Sequence, residues 1–324
     1  VERLQSLQVL RFVAAAAVIV CHAYEPAKIG AFGVDIFFVI SGFIISRVMV
    51  GKSPAQFLIA RLVRIYPIYW VCAVPSASVA FFIGAATLPR TLTSLTLWPV
   101  FDGFLQPYLV LGWTLSFEML FYLCATLVLV DRRFLWLLVL AYPSAMLGAF
   151  LTDAPLLRFI GNPLILEFML GVFIGHFSVP TTSARTGLGA ALVAVAILIV
   201  TISDAHHLSL PRNTFELAAP ERALVWGVPA GMIVWGALQW EKSLSKSRLL
   251  GYLGNASYSI YLSHGTSKML TAVSPWPVQV IGAIIVGAVV YRYLEVPLLR
   301  RLRSSLSPRA LPTFLSQPSR TTAS

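Results

Sequence analysis

Apolar runs of membrane-spanning length recur from one end of the chain to the other, and the stretches between them are too short to form a domain of their own. A hydrocarbon core takes roughly 20 helical residues to cross, and every backbone group inside it must be bonded within the segment. Runs of this number and length admit one architecture, an all-α, polytopic transmembrane helix bundle. About ten spans are expected, near residues 9–24, 34–50, 66–86, 111–130, 134–151, 162–178, 187–203, 222–240, 253–272 and 277–296. Charged residues make up only 11% of the chain, well below the ~25% of soluble domains.

The net charge of +11 does not point to nucleic acid, because the basic residues fall in alternate loops. Allotting them by this topology puts about 16 Lys and Arg on the side of the termini and about six on the other, so both termini are expected in the cytoplasm. Two long outer loops are expected at 87–110 and 204–221. Residues 1–303 form the membrane domain. The Ser/Pro-rich segment 304–324 lacks periodicity and reads as a disordered cytoplasmic tail. The first run is read as a retained span, since Arg11 interrupts it. Cys21, Cys72 and Cys124 lie in apolar runs without metal-ligand spacing, so no metal is expected.

Polar groups inside spans are costly and face a cavity or a partner. Arg11 and His22 are eleven residues apart, three helical turns, which puts both on one stripe about 16 Å apart along the axis. Arg61 and Arg64 share a helix face ahead of the third span, with Arg47 and Lys52 nearby. They suit the phosphates of an anionic cofactor or serve as plain membrane anchors, and either is expected to be replaceable without loss of the fold. Glu118 and Asp35 both qualify as the carboxylate that would orient His22 as a general base, or as helix clamps. His264 sits mid-span with Ser257, Tyr258, Ser259, Tyr261 and Ser263, a set of hydroxyls suited to a polar lining or to interhelical packing. Glu295 is expected to pair with Arg292 near the inner surface; Glu167 has no assigned role. His176, His206 and His207 read as a span-end residue and two solvated loop residues. Phosphate-binding glycine loops and the GxSxG nucleophile elbow are absent, which removes ATPase, kinase and serine-hydrolase readings.

Taken together, LRFVAAAAVIVCHA, GVDIFFVISGFII, ARLVRIYPIYW, WTLSFEMLFYL, SYSIYLSH and LEVPLLRRLR occur in an order that resembles the membrane-bound acyltransferase 3 family over residues 3–303. The wording GWTLSFEMLFY is similar to the branch that acetylates exopolysaccharides. Met119 stands where the family commonly has a second acid, and no fused SGNH-type domain is seen. The resemblance implies a multi-pass protein of the bacterial inner membrane. It implies O-acyl transfer from cytoplasmic acyl-CoA, acetyl-CoA above all, to a sugar hydroxyl of a surface polysaccharide or a lipid-linked oligosaccharide. On that reading Arg11, Arg61 and Arg64 hold the donor. His22 is general base or acyl carrier, with Glu118 or Asp35 orienting it. His264, Tyr258, Tyr261 and Ser263 line the acceptor end. The alternative is a polytopic transporter or an export partner in polysaccharide assembly.

Overall fold

The computed structural model describes residues 4–100, 106–177, 186–205, 220–244 and 247–305. His206, His207 and most of the expected loop 204–221 lie outside them, as does all of the expected tail beyond residue 305.

Helix α1 (Gln5–Ala23) runs unbroken from Arg11 to His22. A 3-10 stretch, Glu25–Phe32, folds back along it and leads into α2 (Gly33–Val48). α3 (Pro54–Phe82) starts earlier than the apolar pattern implied. Ser53 Oγ accepts from the Gln56 amide while Gln56 Oε1 accepts from the Ser53 amide, both at 3.2 Å, and proline follows at the first helical position. Arg61 and Arg64 therefore lie inside this helix, not ahead of it. α4 (Leu88–Thr96), capped by Thr87, occupies part of the first expected loop. There follow α5 (Trp113–Val130), α6 (Arg133–Leu151), α7 (Pro155–Ile160), α8 (Ile165–Phe177) and α9 (Thr186–Ala205). The short α10 (Pro220–Arg222) continues through a π turn at Ala223–Gly227 into α11 (Val228–Leu238). α12 (Glu241–Leu244), α13 (Arg248–Leu270) and α14 (Trp276–Val290) come next, and a second π turn, Tyr291–Glu295, joins α14 to α15 (Val296–Ser305).

Eight helical segments among the described residues are long and apolar enough to cross a membrane. The other two expected spans are helical but different in kind. Ala223–Leu238 is shorter, and α13, at 23 residues, carries Asn255, His264, Lys268 and a row of hydroxyls.

α1 packs against α13, α2 and α14, which makes it the shared wall of the bundle. The tightest pairing is α2 on α8. A Cβ at Gly171 would stand 2.0 Å from the Val39 carbonyl oxygen, and one at Gly42 2.0 Å from that of Phe168. Between membrane helices such backbone contact replaces the hydrophobic drive available in water. Gly171→Val is expected to force the pair apart at a cost of about 1–3 kcal/mol, read as a lower unfolding midpoint in detergent. An unchanged midpoint would mean that α2 and α8 are not in contact.

Candidate active site

His22 lies in the last turn of α1, one residue from its end, and is an exposed residue whose ring bond to Val18 is part-buried. The stripe sets it three turns beyond Arg11; because α1 ends at Ala23, that is the far face, the one opposite the N-terminus. Its ring meets that of His264, 3% exposed on α13, with centroids 5.1 Å apart and planes tilted by 44°. His22 Nδ1 is 2.8 Å from the Val18 carbonyl oxygen, and His264 Nδ1 is 2.6 Å from that of Tyr261. A carbonyl can only accept, so in each neutral ring the proton is assigned to Nδ1 and the lone pair to Nε2. Two basic nitrogens held by backbone are thus presented side by side. Lys268, one turn beyond His264, donates from Nζ to the His22 carbonyl oxygen at 2.5 Å. That carbonyl is among the last four of α1, which have no partner inside the helix.

Neither expected carboxylate orients His22; the Val18 carbonyl takes that place. Asp35 is fully buried and receives Arg222 Nε at 3.1 Å on one oxygen and Nη2 at 3.0 Å on the other. Glu167, 1% exposed, lies against Asp35, and the Arg222 guanidinium covers the Trp226 ring at 4.9 Å. This cluster ties α2, α8 and the start of the α10–α11 segment together. Arg222 is absent from the residues singled out in the sequence, where it reads as an ordinary span-end cation.

Glu118 belongs to a second group, nearer the N-terminal face. It accepts from Ser41 Oγ at 3.1 Å and from the Tyr122 hydroxyl at 2.5 Å. The charges nearest Arg11 are Arg64, Glu118 and Glu295. Arg61 lies over the rings of Phe57, at 6.0 Å, and Tyr122, at 5.9 Å. Its Nε is buried without a hydrogen-bond partner among the described residues. Arg64 is ion-paired to Glu295 and sits 5.2 Å over the Tyr258 ring. Ser259 Oγ donates to the other Glu295 oxygen at 2.6 Å. Glu295 does not pair with Arg292 as expected. The π turn at Tyr291–Glu295 places Glu295 in the interior, fully buried, and leaves Arg292 outside. Three guanidiniums against two carboxylates leave this group one positive charge in surplus.

The hydroxyls of α13 divide between the two places. Tyr258 and Ser259 serve the arginine group, the Tyr258 hydroxyl donating to the Ile65 carbonyl at 2.8 Å. Tyr261 and Ser263 stay near His264. The Tyr261 ring is 5.7 Å from the imidazole and its hydroxyl is 3.3 Å from Thr114 Oγ1, while Ser263 Oγ is buried without a partner among the described residues. One helix, α1, joins a cationic group to a pair of basic imidazoles. Such an arrangement can hold an anionic donor at one place and take a proton from a nucleophile at the other.

Comparison with known proteins shows the family. Residues 4–293 match the acyltransferase domain family. The exopolysaccharide production protein ExoZ of Rhizobium meliloti (strain 1021) is 34% identical, over 87% of this chain and 95% of its own. Nodulation protein 10 of Rhizobium leguminosarum bv. viciae is 26% identical over 94% and 96%, and the acyltransferase MdmB of Streptomyces mycarofaciens 25% over 82% and 79%. No solved structure matches the chain. With a family match over nearly its whole length, a helical bundle built for the membrane and a polar interior suited to group transfer, the chain belongs to the acyltransferase 3 family and is a multi-pass membrane acyltransferase.

Proposed function

We propose that the enzyme moves an acetyl group from cytoplasmic acetyl-CoA to a sugar hydroxyl of an exopolysaccharide, or of its lipid-linked precursor, at the inner membrane of a bacterium. The observation that carries this reading is the pairing of His22, on the helix that also bears Arg11, with His264 of α13. The basic loops favour a cytoplasmic N-terminal face. The arginine group then lies toward the donor, and the imidazoles lie toward the acceptor. ExoZ, named for exopolysaccharide production, supports a polysaccharide acceptor.

In this reaction the acceptor oxygen attacks the thioester carbonyl while His22 Nε2 takes the hydroxyl proton. A C–O bond forms, the C–S bond breaks, and the thiolate leaves as coenzyme A after gaining a proton. The Val18 carbonyl keeps Nδ1 protonated and the basic lone pair on Nε2. Arg61, whose Nε has no partner among the described residues, takes a donor phosphate; Arg11 adds charge behind it. Arg64 supports them from its ion pair.

The test is labelled acetyl-CoA given to the cytoplasmic side of membrane vesicles that carry the surface polysaccharide. Arg61→Ala removes a charged hydrogen bond worth about 1.5–3 kcal/mol, so the KM for acetyl-CoA is expected to rise about ten- to a hundredfold. An unchanged KM would reduce Arg61 to a membrane anchor. No acetyl-CoA turnover by the unaltered protein would sink the donor assignment.

A further inference from the structure

Beyond the histidine pair, α1, α13 and α14 leave a narrow gap at the far face, lined by His22, His264, Lys268 and Gln279. Its free space is about 10 Å³, near the minimum for one water. It admits a single hydroxyl and excludes a sugar ring, so any ring that offers a hydroxyl to the imidazoles must rest outside, on the rim.

The rim carries a surface of suitable chemistry. Tyr24, two residues past His22, stacks on Trp276, three residues before Gln279, with centroids 5.2 Å apart and planes at 30°. They remain 41% and 42% exposed. An aromatic face is electronegative and matches the weakly electropositive C–H face of a pyranose. Just inside, Gln279 Nε2 is committed to the Ser274 carbonyl at 2.8 Å, while Gln279 Oε1 is buried without a partner among the described residues. The Lys268 ammonium, which bonds the His22 carbonyl, has further N–H donors. Platform, acceptor, donor and base are what a hydroxyl-bearing ring needs on its face and its edge.

The geometry points to a glycan subsite at this rim, which rests on the reading of His22 as the base. One pyranose of the acceptor lies on the Tyr24–Trp276 platform. Gln279 and Lys268 hold its edge, and one hydroxyl enters the gap toward His22 Nε2. Tyr24, Trp276, Gln279 and Lys268 bind and position the acceptor; none takes part in bond breaking.

The experiment measures, in the same vesicles with labelled acetyl-CoA, the ratio of acetyl passed to polysaccharide over acetyl released to water. Trp276→Ala is expected to lower this ratio at least tenfold, and Trp276→Phe to restore most of it. A Trp276 that only anchors α14 at the membrane surface would lower both fluxes together, and an unchanged ratio would overturn the subsite. Failure of the donor reading shows differently, as absence of both fluxes in the unaltered protein.

Discussion

His22→Gln is expected to lower acetyl transfer by about 10²–10⁴-fold, the usual worth of a positioned general base. Glutamine can donate a hydrogen bond to the Val18 carbonyl and fill much of the space beside His264. It cannot take up a proton at neutral pH. The substitution therefore separates proton transfer from helix clamping, which His22→Ala would remove together. The measurement is acetyl transfer in vesicles, normalised to inserted protein with a native unfolding midpoint. A well-folded His22→Gln enzyme with near-normal transfer would end the assignment and move the base to His264, whose Nδ1 is likewise bonded to a backbone carbonyl and whose Nε2 likewise carries the lone pair.

Arg64→Ala is expected to damage the fold rather than the affinity for donor. Spacing alone offers no reason to separate it from Arg61; the structure does. Glu295 is fully buried and its charge is answered by Arg64, so truncating the arginine strands a carboxylate in the bundle. Breaking one side of a buried pair costs about 3–5 kcal/mol, whereas replacing both sides with apolar residues is often neutral. Unfolding in detergent should show Arg64→Ala strongly destabilised and Arg64→Leu with Glu295→Leu substantially recovered. A native midpoint for Arg64→Ala would show the ion pair to be dispensable.

Much of the bundle was legible from apolar run length, which a bilayer imposes locally on each segment. Run length misplaced helix starts where partners, not lipid, hold the segment. α13 crosses the interior with His264 and a row of hydroxyls, so its composition understates its length. α3 begins at a capping box that lies outside the apolar pattern. In the site, the stripe from Arg11 to His22 could be read because both residues share one helix. The partners of His22, Asp35 and Glu295 could not. His264, Arg222 and Arg64 arrive from 242, 187 and 231 residues away, and nothing local marks them. Glu295 also depends on a π turn, which changes the face a residue occupies without leaving a mark in the spacing; π turns occur frequently at functional sites.

The straightness of α1 sets a length requirement on the donor. With Arg11 and His22 three turns apart, some 16 Å of rise separates the arginine group, at Arg11, from the imidazole that activates the acceptor. On the proposed reading, the enzyme acts as a ruler: it accepts a molecule whose anionic head and reactive carbonyl are joined by a long, flexible arm. Coenzyme A thioesters have such an arm. Acetyl phosphate, with its carbonyl bonded directly to the anion, would anchor at one end and stop short of the other.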